Sequence, residues 1–140
     1  MVVVERQGLP LGVLVTSASP AETTLVHATL STIAVPRSGP GRPRQKPPRL
    51  IADRGYDSDP LREELAARGI TLISPYRANR VERRYEDGRL LRRYHKRWIV
   101  ERSIAWFGAF RRLLIRYERQ TRLYLAFVQF AAALIALRRL

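Results

Sequence analysis

One stretch limits the fold of this chain more than any other. Arg49 to Ala52 is a short apolar run ending in Asp53, and Arg54-Gly55-Tyr56-Asp57-Ser58-Asp59-Pro60 follows. Asp59 before Pro60 fits a helix N-cap, Leu61 and Leu65 share a face, Gly69 ends the helix, and Ile70 to Ser74 reads as a second strand. A strand, a helix and a strand in that order predict a parallel pair joined by a crossover, hence an α/β protein. The same reading puts a carboxylate, Asp53, at the C-terminal end of a buried strand.

The flanking segments fit one domain over residues 1–140. Val2 to Val4 and Leu11 to Thr16 are strand-like runs separated by Gln7-Gly8-Leu9-Pro10, a hairpin signal. Ser19-Pro20-Ala21-Glu22 has capping-box spacing, and Val26, Leu30 and Ile33 follow at helical intervals. Residues 1–35 thus form a hairpin plus a helix, and 49–75 the strand–helix–strand unit. Between them, 36–48 holds five of the nine prolines and cannot sustain a regular backbone ladder. Its Gly41-Arg42-Pro43 core resembles an AT-hook, with a plain basic linker as the alternative. Residues 76–89 are polar and basic and read as a mobile arm or loop. Residues 90–140 read as helices, with an apolar stripe of Ile99, Trp106, Phe110 and Leu113. Leu123 to Leu137 is apolar apart from Gln129 but shorter than the roughly 20 residues a bilayer requires, so a buried core helix is expected and no membrane partner.

Charge points to a partner. The chain carries 26 Lys plus Arg against 12 Asp plus Glu, a formal net charge of +14. The excess is uneven: residues 1–75 hold nine basic and seven acidic side chains, whereas 76–140 hold seventeen and five. Twenty-four of the cations are Arg, whose planar fork pairs bidentately with phosphate and stacks on bases. A solvated Arg-rich surface is the bland alternative; nucleic acid is the favoured partner, through Arg83, Arg84, Arg92, Arg93, Arg111 and Arg112. The absence of cysteine excludes disulfides, thiolate metal sites and Cys nucleophiles. No secretory signal is visible after Met1, which predicts a cytoplasmic protein.

Two acids stand out where basic residues converge, Asp53 and Glu101. On a helix, Tyr94, Arg97 and Glu101 fall within an arc of roughly 60° and share one face. Such carboxylates suit metal-assisted phosphodiester cleavage, because hard Mg²⁺ prefers oxygen ligands and two ions can serve the attacking and leaving oxygens. Arg97 would steady a phosphate and Tyr94 contact DNA. A surface ion pair of Glu101 with Arg97, and a turn role for Asp53, are the structural alternatives. Asp57 and Asp59 read as turn and cap residues, and His27 and His95 lack metal-ligand spacing.

The segments Ile51-Ala52-Asp53-Arg54-Gly55-Tyr56-Asp57-Ser58, Val100-Glu101-Arg102-Ser103-Ile104-Ala105-Trp106-Phe107 and Phe110 through Glu118 resemble the DDE transposases of bacterial insertion sequences, of the type numbered family five. The turn at Gln7 to Leu11 and the stretch from Leu125 to Leu140 extend the likeness over nearly the whole chain. The resemblance implies an α/β, ribonuclease-H-like fold with a mixed sheet over residues 2–74, and three acids that hold two Mg²⁺ ions. It implies DNA cleavage followed by strand transfer. Asp53 matches the second acid and Glu101 the third, with Tyr94 and Arg97 in the signature before it. The Lys often found seven residues after the Glu is Gly108 here, and Arg111 or Arg112 could supply that charge. The first Asp of the family lies upstream of the region matching Val2 to Thr16, and Glu5 is no substitute. The chain is therefore expected to be a C-terminal portion, inactive alone, that self-associates or joins an upstream N-terminal half. A non-catalytic DNA-binding fragment or regulatory subunit is the alternative, and a generic RNA-binding domain a third.

Overall fold

In a computed structural model, residues 1–85 and 87–139 are described. Strands β1 (Val2–Val4) and β2 (Pro10–Val13) form an antiparallel hairpin in which Val2 faces Val13 and Val3 faces Gly12, with the register slipping before Val4 and Pro10. The turn between them is built by Glu5, whose carboxylate accepts the N–H groups of Gln7 (2.7 Å) and Leu9 (3.1 Å). Gly8 sits at φ +93°, a left-handed conformation that residues with a Cβ rarely adopt. The Met1 ammonium donates to the Leu14 carbonyl at 2.7 Å and extends the ladder by one step.

A 3₁₀ turn (Glu22–Leu25) leads into α1 (Val26–Ser31). The helix therefore starts later than the capping box at Ser19 predicts: the chain is still extended at Ala21, which precedes the turn with no side-chain cap, and Thr24 Oγ1 instead donates to the Ala21 carbonyl at 2.7 Å. The Pro-rich stretch is irregular as expected, apart from a single antiparallel bridge between Val35 and Arg44. Lys46 Nζ ties it to the end of the next helix through the Arg68 carbonyl, at 3.0 Å.

Strand β3 (Arg49–Ile51), α2 (Asp59–Ala67) and β4 (Thr71–Ile73) form the predicted crossover, and β3 and β4 pair in parallel with Leu50 beside Leu72. The N-cap of α2 is Ser58, whose hydroxyl accepts the Leu61 N–H at 3.4 Å. Asp59 instead lies in the first turn, where Arg62 and Arg80 pair with it. The Gly69 and Ile70 N–H groups, bonded to Ala66 and Leu65 carbonyls at 2.8 Å each, close the helix.

Helices α1 and α2 bury one cluster: Val26, Leu30, Ile33, Leu61, Leu65, Ile70 and Leu72. Their i, i+4 spacing turns one face of each helix inward, and burial of these side chains contributes roughly 1.5–3 kcal/mol apiece. The two strand pairs are separate two-stranded ladders rather than the single mixed sheet expected over residues 2–74. Among the described residues, β1 pairs only with β2 and β3 only with β4.

The segment 76–85 is not a free arm. Tyr76 is buried, Arg77 and Arg80 are tied to acids of the strand–helix–strand unit, and the Tyr85 hydroxyl donates to Glu63 at 2.6 Å. Beyond it come α3 (Gly88–Leu91), a 3₁₀ segment (Arg92–Arg97), α4 (Trp98–Gly108), α5 (Arg111–Leu114) and α6 (Thr121–Leu137). The expected stripe through Phe110 is interrupted, because Phe110 adopts extended backbone between α4 and α5. Helix α6 is less buried than its composition predicts: Ala131 and Ile135 are buried, while Leu123, Phe130 and Leu137 are exposed. Leu140, the end of the expected C-terminal helix, lies outside the described residues. Among the described residues no helix is long and apolar enough to cross a membrane.

Candidate functional site

A groove runs between the two ladders, with β1 on one side, β3 on the other and α4 along it. One end, a cleft of about 310 Å³, is lined by Asp53, Glu101, Arg97, Glu22 and Tyr56 among apolar neighbours. The other end, about 380 Å³, carries Arg6, Arg49, Arg93 and Lys96. Val2, Val3, Leu50, Ile51, Arg97 and Val100 line both, so the two ends are continuous.

Asp53 reaches the groove because β3 ends at Ile51 and the chain turns at once. The Ala52 N–H still bonds the Ile73 carbonyl at 3.0 Å, the Ser74 hydroxyl donates to the Asp53 carbonyl, and Asp53 then caps a 3₁₀ turn, Arg54–Tyr56. Its Oδ1 accepts the Gly55 N–H at 2.8 Å. A Cβ on residue 55 would lie 2.9 Å from that oxygen, so any larger residue there would have to push the Asp53 carboxylate aside.

Glu101 comes from the first turn of α4. It pairs with Arg97 at 2.6 Å, with Arg97 37% and Glu101 53% exposed. Arg97 in turn lies over the Tyr94 ring, 5.9 Å from its centroid. The three residues therefore stay together, although Arg92–Arg97 is a 3₁₀ segment and not the start of an α-helix. At about three residues per turn, Tyr94 and Arg97 nearly eclipse each other, and α-helical spacing then brings Glu101 beneath Arg97.

Glu22 and Tyr56 were not singled out as site residues by the sequence. Burial first, then the neighbouring Glu22 carboxylate, hold the Tyr56 hydroxyl above its ordinary range, so it stays protonated beside that carboxylate. The only hint was the place of Tyr56 directly after Gly55. Glu22 had none, since the 3₁₀ turn that carries it depends on packing against the turn at Arg54–Tyr56.

The basic residues divide by environment. Arg93 lines the groove, and Arg92 beside it is exposed. Arg84 lies over the Tyr85 ring at 5.6 Å, and Arg83 is exposed nearby. Arg111 is exposed, whereas Arg112 pairs with Glu118 at 3.3 Å and covers the Phe127 ring at 4.8 Å. Gly108 ends α4, and no cation occupies that position.

The oxygen donors of Asp53 and Glu101 have the chemistry Mg²⁺ prefers. Among the described residues no group of three or more His, Cys, Asp or Glu is placed to hold a metal ion. Two carboxylates at one end of an open groove, with cations alongside, bring oxygen donors next to groups that can pair with a phosphodiester.

The chain matches a family model described as "Transposase DDE domain" over residues 1–136. It is 37% identical over 134 residues to a Burkholderia cepacia protein named "Putative transposase for insertion sequence element IS402". That alignment covers 96% of this chain and 60% of the relative, so the chain spans about three-fifths of the relative's length. No solved structure matches. With residues 1–136 accounted for by one family and Asp53 and Glu101 brought to one groove, the chain belongs to the DDE transposase domain family.

Proposed function

We propose that this chain is the carboxylate-bearing part of an insertion-sequence transposase, acting on DNA in the cytoplasm by metal-dependent cleavage and strand transfer. The observation that supports this most is the convergence of Asp53 and Glu101, from elements far apart in sequence, on one groove flanked by Arg93, Lys96 and Arg97. Asp53 and Glu101 are the second and third acids of the DDE set; they would share divalent ions, the metal type the family generally uses, with a first Asp. Tyr94 and Arg97 hold the DNA backbone beside them.

The groove itself suggests how the set is completed. The β1 and β3 edges facing it make no pairing with any described strand, and apolar side chains line it. Unpaired strand edges accept an additional strand. A strand entering here, carrying an Asp beside Asp53, would join both ladders into one mixed ribonuclease-H-like sheet and supply the first acid. The protein would then work with an N-terminal segment, or through association with another copy.

The test joins this chain to the upstream segment of a longer relative and offers it insertion-sequence ends with Mg²⁺. Cleavage by the joined protein, lost in Asp53→Ala and Glu101→Ala with DNA binding kept, is expected. Cleavage that survives either substitution would refute the assignments.

A second reading, a non-catalytic DNA-binding fragment or regulatory subunit, is favoured by the Arg97–Glu101 ion pair, which already satisfies one of the two carboxylates. It predicts salt-sensitive DNA affinity and no cleavage even in the joined protein.

A further inference from the structure

The two loops leaving the C-terminal ends of β3 and β4 grip each other through Asp57, a residue the proposed chemistry leaves unused. Its side chain is 1% exposed. Oδ1 accepts Arg62 Nη1 at 2.7 Å and Arg80 Nη1 at 3.0 Å, and Oδ2 accepts the Arg77 main-chain N–H at 2.8 Å. Arg77 returns the contact: its Nη2 lies 3.2 Å from the Gly55 carbonyl and its Nε 3.5 Å from the Arg54 carbonyl. Arg62 also donates to the Ser74 carbonyl at 2.9 Å, and the guanidinium groups of Arg62 and Arg80 each stand 4.7 Å from the centre of the Tyr76 ring.

The turn gripped in this way is the one whose Gly55 N–H binds the Asp53 carboxylate. Without Arg77 it would be held mainly by its own short-range bonds, Gly55 to Asp53 Oδ1, Tyr56 to the Asp53 carbonyl and Asp57 to the Arg54 carbonyl. Both Asp57 oxygens are occupied by donors from three arginines, which makes Asp57 a strut and not a metal ligand. A planar guanidinium presents Nε and Nη2 in a fixed fork suited to two successive carbonyls, whereas an ammonium is a point charge on a flexible stem with no such preset geometry.

We propose that Asp57 and Arg77 are positioning residues for Asp53: a reciprocal latch, Asp57 carboxylate to Arg77 N–H and Arg77 guanidinium to the Arg54–Gly55 carbonyls, sets where the Asp53 carboxylate enters the groove. The significance of that placement rests on the proposed role of Asp53 in cleavage.

The test is amide hydrogen exchange by NMR on the 140-residue chain. Arg77→Ala, at an exposed side chain, should speed exchange at Gly55 and Tyr56 about tenfold while Ile51, Leu72 and Ile73 keep their rates. Arg77→Lys should fail to restore it. Asp57→Asn should give the same local pattern, and where it does not fold, Arg77→Ala carries the test. Unchanged rates at Gly55 and Tyr56, or equal acceleration throughout β3 and β4, would overturn the latch. In the joined protein, Arg77→Ala should slow cleavage at saturating DNA with affinity kept within about twofold; a loss lying wholly in affinity would overturn the positioning role. Exchange involves no DNA, so failure of the latch is distinguishable from failure of the cleavage reading, which shows as normal cleavage by Asp53→Ala.

Discussion

The Ser103 hydroxyl donates to the Gly8 carbonyl at 2.7 Å across 95 residues of sequence. This bond fixes the helix that carries Glu101 to the hairpin that forms one wall of the groove. Ser103 is fully buried, and beside it the Arg102 guanidinium reaches the Gln7 carbonyl at 2.8 Å and stacks between Trp98 and Trp106.

Ser103→Ala is expected to lower stability by about 1–3 kcal/mol, because a buried carbonyl loses its donor without any gain in volume. Gly8→Ala should cost at least as much. Its Cβ would lie 2.8 Å from Ser103 Oγ and 3.2 Å from the Trp106 ring, at a φ of +93°. Urea denaturation of each variant checks both.

Arg97→Ala should change stability by no more than about 0.5 kcal/mol, since the ion pair with Glu101 is partly exposed and screened. DNA affinity should nevertheless fall. Denaturation and fluorescence anisotropy on the same preparation separate the two effects; equal affinity would remove Arg97 from the DNA interface.

Acid should loosen the Asp57 strut. Burial by itself would raise the Asp57 carboxyl, but the Arg77 N–H, the Arg62 hydrogen bond and the charges of Arg62 and Arg80 outweigh it and hold the group below the usual carboxylate range. A folded-state value below the unfolded one means that its stabilisation is present above about pH 4 and is lost as pH falls through the folded value. Urea midpoints measured between neutral pH and about pH 3 should therefore drop more in the wild type than in Asp57→Asn.

Replacing Arg83, Arg84, Arg92 and Arg93 together by Ala should flatten the salt dependence of DNA binding. Each phosphate contact contributes about 0.9 to the slope of log K against log salt. An unchanged slope would place the contact elsewhere, with exposed Arg111 the next candidate.

Two positions on α6 should respond in opposite ways. Ile135→Ser, at a side chain 5% exposed, should cost about 2–5 kcal/mol, whereas Phe130→Ser, 64% exposed, should stay within about 0.5 kcal/mol. Thermal melts distinguish them, and equal losses would mean that Phe130 is covered in solution.

Much of the local structure was legible because it is governed by near neighbours. The Gly8 turn, the parallel pair at Leu50 and Leu72 and the glycine stop at Gly69 all follow from turn chemistry and apolar spacing. The candidate acids were legible for the same reason, as a strand end and a helix face. Less accessible was every feature set by a distant partner. Asp59 looks like a cap until Arg62 and Arg80 claim it, and α6 looks like core until β2, α4 and α5 prove to cover only part of it. The basic arm looks free in sequence, because nothing there places Asp57 beside Arg77 and Arg80.

The sequence by itself determined an α/β chain with an Asp at a strand end, a Tyr–Arg–Glu face on a later helix and a strongly basic second half. Periodicity, turn residues and charge are local quantities, and each can be read along the chain. Only the tertiary structure decided that the strands form two separate ladders, that Asp53 and Glu101 share the groove between them, and that Arg62 and Arg80 spend their charge on Asp57 while Arg77 lends it a main-chain N–H. Those outcomes depend on which surfaces meet. That is fixed by the burial of Leu30, Leu65 and Ile70 and by the pairing of buried polar groups such as Ser103, which are long-range terms with no signature in any single segment.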